Sequence, residues 1–511
     1  MLLDEVARAS LRVAETSARL QKIAALAACL GRMHPDEAAI GISFLSGELR
    51  QGRIGIGWAA VRDAAAEPAA EPSLELADAD AAFTRIAAAS GPGSAGERAR
   101  LVRELFARAT GIEQDFLRRL LIGELRQGAQ QGVVVDALAR AAGVGAPELR
   151  RAVMLSGDLG SVAKAVLREG KSGLDAFKLE LLRPIEPMLA QSAEDPDAAF
   201  SRLGRAAAEY KLDGARVQLH RLGDEVRVFT RGLHDVTARA PELVALAHRL
   251  PVDRVVLDGE VIALRPDGTP HPFQTTMRRF GRRLDHDMLK SSLPLTPFFF
   301  DILHAGGQDL IDRPANERFA ALAEVVPEAA TIPRTIAEDA AAIAAFSERA
   351  LSSGHEGIML KSLDAAYEAG NRGASWLKLK PAHTLDLVVL AAEWGSGRRR
   401  GWLSNLHLGA RDPEHNSFVM LGKTFKGMTD EMLRWQTEKL IALEIGREGH
   451  IVHVRPELVV EIALDGVQAS SHYPAGLALR FARVKRYRPD KTAAQADVID
   501  AVRAIHARTH G

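Results

Sequence analysis

The hexapeptide Glu209-Tyr-Lys-Leu-Asp-Gly214 sets an amine between two carboxylates. On a strand, alternation places Glu209 and Lys211 on one face, with Asp213 and Gly214 at the turn that follows. A lysine so placed can be a nucleophile. Free lysine titrates near ~10.4 and is mostly protonated at neutral pH, so attack on phosphorus calls for burial or nearby cations that lower that value. Lys378 and Lys380, two apart in the strand-like Trp376-Leu-Lys-Leu-Lys380, share a face and supply candidate cations. A Lys-x-Asp-Gly tetrapeptide alone describes equally a surface turn with a solvated lysine. Further on, Arg480, Arg483, Lys485, Arg486, Arg488 and Lys491 stand against one acid of their own stretch, Asp490. Such a cluster is a solvated face or a generic nucleic-acid surface. Arg398-Arg-Arg400, in a glycine-flanked loop, suits contact with a phosphate backbone, which needs mobile cations rather than a fixed fold.

These residues need elements to hold them. Val217 and Leu219, a turn at Leu222-Gly-Asp224, then Val226 and Val228 describe a hairpin. Val255 to Leu264 and Pro297 to Leu303 read as further strands, and Glu338 to Leu351 as a helix, so the middle of the chain is α+β. Upstream, to about residue 180, apolar residues recur at helical spacing; Phe116 with Leu120, and Leu117 with Leu121, share faces. Pro68 and Pro72 mark a loop within this helical third. Gly91-Pro-Gly-Ser-Ala-Gly96 matches the dinucleotide pattern GxGxxG, but a helix rather than a strand leads into it, and the match is rejected. From Leu385 strands dominate, near Leu385–Leu390, Leu406, Phe418, Ile451 and Val459, ending in a helix from Thr492. A five-stranded barrel of the OB type suits that length. The reading is multidomain: 1–180 all-α, 181–384 α+β, 385–511 a β-barrel.

At 511 residues the chain exceeds what one hydrophobic core serves, and 47% hydrophobic content excludes disorder throughout. With 66 basic and 66 acidic side chains, overall charge neither predicts nor forbids a polyanionic partner, so local clusters decide. The single cysteine, Cys29, cannot form an internal disulfide and fits a reducing interior. The N-terminus carries no basic region followed by an apolar run, and no stretch reaches the roughly 18 apolar residues of a membrane span. The expectation is a cytoplasmic protein without a membrane partner.

The ordered series Glu209-Tyr-Lys-Leu-Asp-Gly214, Thr230-Arg-Gly232, Leu257-Asp-Gly-Glu260, Phe298-Phe-Phe-Asp301, Glu356-Gly-Ile-Met-Leu-Lys361, Trp376-Leu-Lys-Leu-Lys380 and Arg480-Phe-Ala-Arg483 with Arg488-Pro-Asp-Lys491 resembles the covalent nucleotidyltransferases, and within them the ATP-dependent DNA ligases. The likeness covers the last two-thirds of the chain; the helical third resembles the DNA-binding domain of replicative-type ligases by length and helicity. The resemblance implies that Lys211 attacks the α-phosphate of ATP and carries AMP. It gives Glu209 the adenine amine and Phe300 the face of the base. Arg216, Arg231 and Arg372 take ribose and phosphates, Lys378 and Lys380 the α-phosphate, and the basic cluster from Arg480 and Arg483 to Lys491 closes over ATP to orient pyrophosphate. Glu260 takes a ribose hydroxyl or metal, and Glu356 is the better candidate for Mg2+. The implied partner is nicked double-stranded DNA, sealed by a monomer in replication, repair and recombination, with domains 1–180 (DNA-binding), 181–384 (adenylation) and 385–511 (OB) encircling the duplex. An RNA-joining or mRNA-capping nucleotidyltransferase shares the lysine motif, but the helical third argues against it. A non-catalytic DNA-binding protein would have no use for Lys211, Glu260, Glu356, Lys378 and Lys380 together.

Overall fold

The computed structural model describes residues 1–64, 66–125, 127–273, 275–277, 293–368, 375–381 and 383–510. The first of three regions is helical from Leu3–Glu15 to Leu159–Glu169. Phe116, Leu117, Leu120 and Leu121 lie in one buried core with Leu26, Phe44, Phe83 and Phe106, as their spacing requires. The helix Gly111–Leu121 starts at a capping box in which Thr110 and Glu113 satisfy each other's backbone donors. Helix Leu76–Ala88 leads into the Gly91–Gly96 segment, so no strand feeds those glycines.

The middle of the chain builds two sheets. In one, the order is Gln191–Ser192, Trp376–Leu379, Ile358–Ser362, Ala206–Tyr210, Arg334–Ala337. In the other it is Glu225–Thr230, Ala215–Leu222, Arg254–Ala263, Leu295–Ala305, Gln308–Asp309. The expected hairpin is Ala215–Leu222 with Glu225–Thr230, turning through Gly223 at φ +61°. The sheets meet where Phe299 bridges Thr331 and Ile332 N–H donates to Phe299 O at 2.9 Å. Beneath Leu295–Ala305, Arg318 and Asp301 form an ion pair at 2.7 Å with both side chains fully buried, and Arg318 also donates to the carbonyls of Arg313 and Ala365.

The last region is strand-rich and wider than the expected five strands: one sheet holds seven, beside a two-stranded ribbon. The long strand His383–Trp394 pairs with Leu403–Asp412 on one edge, and on the other with Val459–Leu464 and then Ile451–Val454. Register shifts near Val389 and Glu393 bend it around an apolar core, as bulges do. The two strands that sequence reading missed in this sheet, Glu444–Glu448 and Arg483–Tyr487, are charge-rich and mostly unburied. Their apolar alternation is therefore too weak to see. Helix Asp430–Ala442 was likewise not anticipated, and the last helix starts at Ile499 after a short turn at Ala493–Gln495. Among the described residues no helix is long and apolar enough to cross a membrane.

Arg318→Ala strands the Asp301 carboxylate in a dry interior, and is expected to lower stability by about 3–5 kcal/mol. Urea denaturation of the variant reads this directly; an unchanged midpoint would mean that water reaches Asp301.

Candidate active site

Strand Ala206–Tyr210 stops one residue short of Lys211, so strand alternation does not itself aim the lysine. Backbone pairing does. Lys211 N–H donates to Gly357 O at 2.9 Å, and Glu356 N–H donates to Lys211 O at 3.2 Å. This fixes the lysine loop against the segment entering Ile358–Ser362. Both glycines are dictated by close approach. A Cβ at Gly214 would stand 2.4 Å from Val261 O, and one at Gly357, where φ is +142°, 2.3 Å from Leu379 O.

The seam between the sheets opens into a cavity of about 490 Å³, the size of a nucleotide-binding cleft. It collects Glu209, Lys211, Arg216, Arg231, Glu260, Phe300 and Lys378 of the expected residues. It also collects Lys361 and Trp376, whose motifs were noted although neither side chain was given a role. Lys380 lies past the end of strand Trp376–Leu379 and is not among the residues lining the cavity; its ammonium pairs with Asp465 of the C-terminal region at 2.6 Å. Arg372 falls outside the described residues.

At one end the cavity is aromatic. The rings of Phe300 and Trp376 meet edge to face, 5.9 Å apart, and Lys361 Nζ stands 4.2 Å from each ring centre. Glu209 is buried there and pairs with Lys361 and Arg334, each at 2.7 Å. Arg216 donates to both oxygens of Asp258, to Met188 O at 2.6 Å and to the Tyr367 hydroxyl at 3.2 Å, so much of its fork is spent inside the protein. Asp258 lay in a quoted motif, and nothing in the sequence singled out Tyr367 or Arg334.

At the other end, Lys211 Nζ forms an ion pair with Glu356, with Glu260 and Asp213 close enough to act on its charge. Burial alone would push the amine down. The charge of Glu356, the hydrogen bond to it, and then Glu260 and Asp213 outweigh burial and hold it above its ordinary value. This corrects the sequence expectation of an amine lowered by cations: Lys380 faces Asp465, and the immediate surroundings of Lys211 are anionic. Burial pushes Glu260 up to about 7 against the pull of Lys211 and Arg216. Burial also acts upward on Glu356, but Lys211, Lys380 and Arg480 together hold it below the usual carboxylate range. Asp213 is raised, by burial first and by Glu356 second.

The basic cluster of the C-terminal region divides. Arg480 reaches Asp213 at 3.1 Å and stands 4.0 Å from Glu356, and Arg483 pairs with Asp465 at 3.4 Å. Arg486 pairs with Glu461, Arg488 with Asp386 and Asp490, and Lys491 with Asp386. The expectation that the whole stretch closes over one pocket is therefore corrected. Glu461, Asp386 and the neighbouring Asp490 neutralise Arg486, Arg488 and Lys491 within the C-terminal region, whereas Arg480 reaches the carboxylates beside Lys211 and Arg483 pairs with Asp465, which also holds Lys380.

Asp213, Glu260 and Glu356 are hard oxygen donors of the kind magnesium takes. Among the described residues, the one group of three side chains whose ligand atoms already converge is Asp412, Glu414 and His415, on a surface turn that is not part of this cavity.

Three family profiles match the chain: DNA ligase N terminus over residues 59–139, ATP dependent DNA ligase domain over 187–380, and ATP dependent DNA ligase C terminal region over 399–491. It is 61% identical to a probable DNA ligase of Anaeromyxobacter sp. (strain Fw109-5) over 511 residues, covering 99% of this chain and 98% of that protein. It is 58% identical to a probable DNA ligase of Sorangium cellulosum (strain So ce56), covering 99% and 96%. A solved structure named Pmar-Lig_Pre. aligns with a TM-score of 0.64 over 95% of this chain and 99% of that one, at 19% identity, a likeness of fold. The chain belongs to the ATP-dependent DNA ligases. It is a ligase enzyme with a helical N-terminal region, a central adenylation domain that binds ATP, and a strand-rich C-terminal domain.

Two expectations follow from the charges. Glu356→Gln removes the strongest hold on the Lys211 proton. Acylation of Lys211 by an amine reagent near pH ~9, read by mass spectrometry, should speed up about tenfold for each unit by which its pKa falls. An unchanged rate would locate the hold elsewhere. For Glu260, the folded pKa of about 7 exceeds the ordinary 4.5, so between those values the folded chain binds the extra proton and stability falls as pH rises. In Glu260→Gln, melting temperature should lose the part of its decline that falls in that window.

Proposed function

We propose that this enzyme seals nicks in duplex DNA through an AMP carried on Lys211. The observation that carries the reading is the position of Lys211. Its amine is at one end of a nucleotide-sized cavity whose other end offers an aromatic face, Phe300, and a buried carboxylate, Glu209.

In the first step Lys211 Nζ, once deprotonated, attacks the α-phosphorus of ATP; the bond to pyrophosphate breaks and a phosphoramidate forms. In the second, an oxygen of the 5′-phosphate at the nick attacks that phosphorus, and the lysine leaves. In the third, the neighbouring 3′-hydroxyl attacks the 5′-phosphorus and AMP leaves, completing the phosphodiester. Each transfer is an in-line displacement in which positioning and charge stabilisation supply most of the acceleration.

Glu209 accepts from the adenine amine and Phe300 covers the base. Arg231, Arg216 and Arg372 serve ribose and phosphates, Lys378 and Lys380 the α-phosphate, and Arg480 and Arg483 the departing pyrophosphate. Lys380 must first leave Asp465, and Arg480 must leave Asp213, an exchange that partly exposed ion pairs allow at small cost. Glu356 and Glu260 are the residues that would hold Mg2+, which would neutralise the carboxylates that keep Lys211 protonated along with the triphosphate. Residues 1–180 grip DNA, 181–384 carry the chemistry, and 385–511 form an OB-type barrel; acting as a cytoplasmic monomer, the three encircle the duplex in replication, repair and recombination.

Incubation with magnesium and α-labelled ATP should label the wild type and leave Lys211→Ala and Lys211→Arg unlabelled, and a chase with nicked DNA should yield sealed product. Label from GTP would indicate capping chemistry, a preference for RNA ends would indicate RNA joining, and no label would leave a DNA-binding protein.

A further inference from the structure

Arg334 was not singled out by any motif, yet it touches both halves of the base end of the cavity. It begins strand Arg334–Ala337 and stands opposite Glu209 in the ladder with Ala206–Tyr210. Its Nε donates to Glu209 Oε1 at 2.8 Å, and its Nη2 donates to the backbone carbonyl of Phe300 at 2.8 Å. Glu209 belongs to one sheet and Phe300 to the other, so one guanidinium bridges the seam at the point where the carboxylate and the aromatic ring must keep a fixed separation. The planar group is itself held, lying 3.5 Å over the ring of Phe319 on helix Ala315–Val325. Its side chain is 14% exposed, against 2% for Glu209. The other cation on Glu209, Lys361, binds the opposite oxygen at 2.7 Å and reaches the same Phe300 carbonyl at 3.5 Å, so the short tie across the seam and the Oε1 edge fall to Arg334.

We infer that Arg334 is a positioning residue for nucleobase selection: by tying Glu209 to the Phe300 backbone, it sets the carboxylate edge-on and the ring face-on to a purine that carries an exocyclic amine. The inference rests on the proposed role of Glu209 and extends it to a residue that need not touch the nucleotide. A planar fork is the group for this task, because it satisfies two acceptors in fixed directions where an ammonium satisfies them as a point charge. Lysine at this position therefore restores charge without restoring geometry.

The test compares lysine labelling, at saturating magnesium, from ATP and from purine riboside triphosphate, which has hydrogen in place of the amine. Wild type, Arg334→Lys, Arg334→Gln and Glu209→Gln are measured, with melting curves confirming that each is folded. Wild type should favour ATP in kcat/KM by at least about tenfold, the scale of a hydrogen bond to a charged acceptor. Arg334→Gln should erase most of that preference through KM for ATP, with kcat far less affected, matching Glu209→Gln. Arg334→Lys, the variant that best preserves folding, should fall between. Equal losses with both nucleotides in Arg334→Lys and Arg334→Gln would reduce Arg334 to a structural brace and overturn the inference. A wild type that labels without preferring ATP would also overturn it while leaving the lysine chemistry standing. A wild type that takes no label from either nucleotide would remove the proposed function and this inference with it.

Discussion

An ammonium held among carboxylates governs the rest of the active centre. The pairing of Lys211 with Glu356 fixes the amine in space, and the same pairing holds the proton that, in the proposed reaction, would have to leave before nitrogen attacks. Position and reactivity are therefore opposed in the free protein. In the proposed reaction, cationic charge arriving with the nucleotide would resolve the opposition, because it would weaken the carboxylates' hold without loosening the backbone clamp between Lys211 and Gly357. Close approach of Gly214 to Val261 and of Gly357 to Leu379 leaves no room for a Cβ at either, and keeps the chain beneath the amine in place.

The remaining cations fall into two kinds. Lys361, Arg334 and Arg216 are buried or nearly so, each committed to a carboxylate, Glu209 or Asp258, that is itself buried. Breaking such pairs leaves uncompensated charge in a poorly solvated place, so they serve as framework. Lys380 and Arg480 are paired across the junction with the C-terminal domain, to Asp465 and Asp213, and Arg483 pairs with Asp465 inside that domain; the acids here retain contact with water. On the proposed reading these pairs, whose acids are less buried than Glu209 and Asp258, are the ones exchanged when the cations meet triphosphate and release it. Burial of the partner carboxylate, rather than residue type or burial of the cation itself, separates the two kinds.

The sequence made the chain order of the motifs readable because each is short and local, but Glu209, Lys211, Glu260 and Phe300 drew their roles from the ordered series and the family it resembles, since the tetrapeptide around Lys211 alone describes equally a surface turn. What it concealed is carried by separation along the chain. The partner that raises the Lys211 pKa lies 145 residues away, in the same distant part of the chain as the expected cations Lys378 and Lys380, so the chain alone does not tell which of these charges the fold brings to the amine. Arg334 sits in the unremarkable Arg-Thr-Ile-Ala, and its bridge exists only once two sheets are laid side by side. The C-terminal sheet was undercounted for a related reason. Strands such as Arg483–Tyr487 are recruited by pairing with an apolar neighbour, Val459–Leu464, and need little apolar pattern of their own.

The cavity is a seam. Its walls are two sheets with separate ladders, tied near the base end by a backbone bridge at Phe299 and Thr331, by the Arg334 guanidinium and by a longer bond from Lys361 to Phe300 O. Each sheet is stiff because hydrogen bonds run throughout it; the gap between them is an elastic coordinate set by side-chain packing and a few polar ties. Warming would widen that gap while both sheets stay intact, so nucleotide fit would degrade before any strand is lost. The upper working temperature of such an enzyme is then a property of the joint between its sheets, and it lies below the temperature at which either sheet melts.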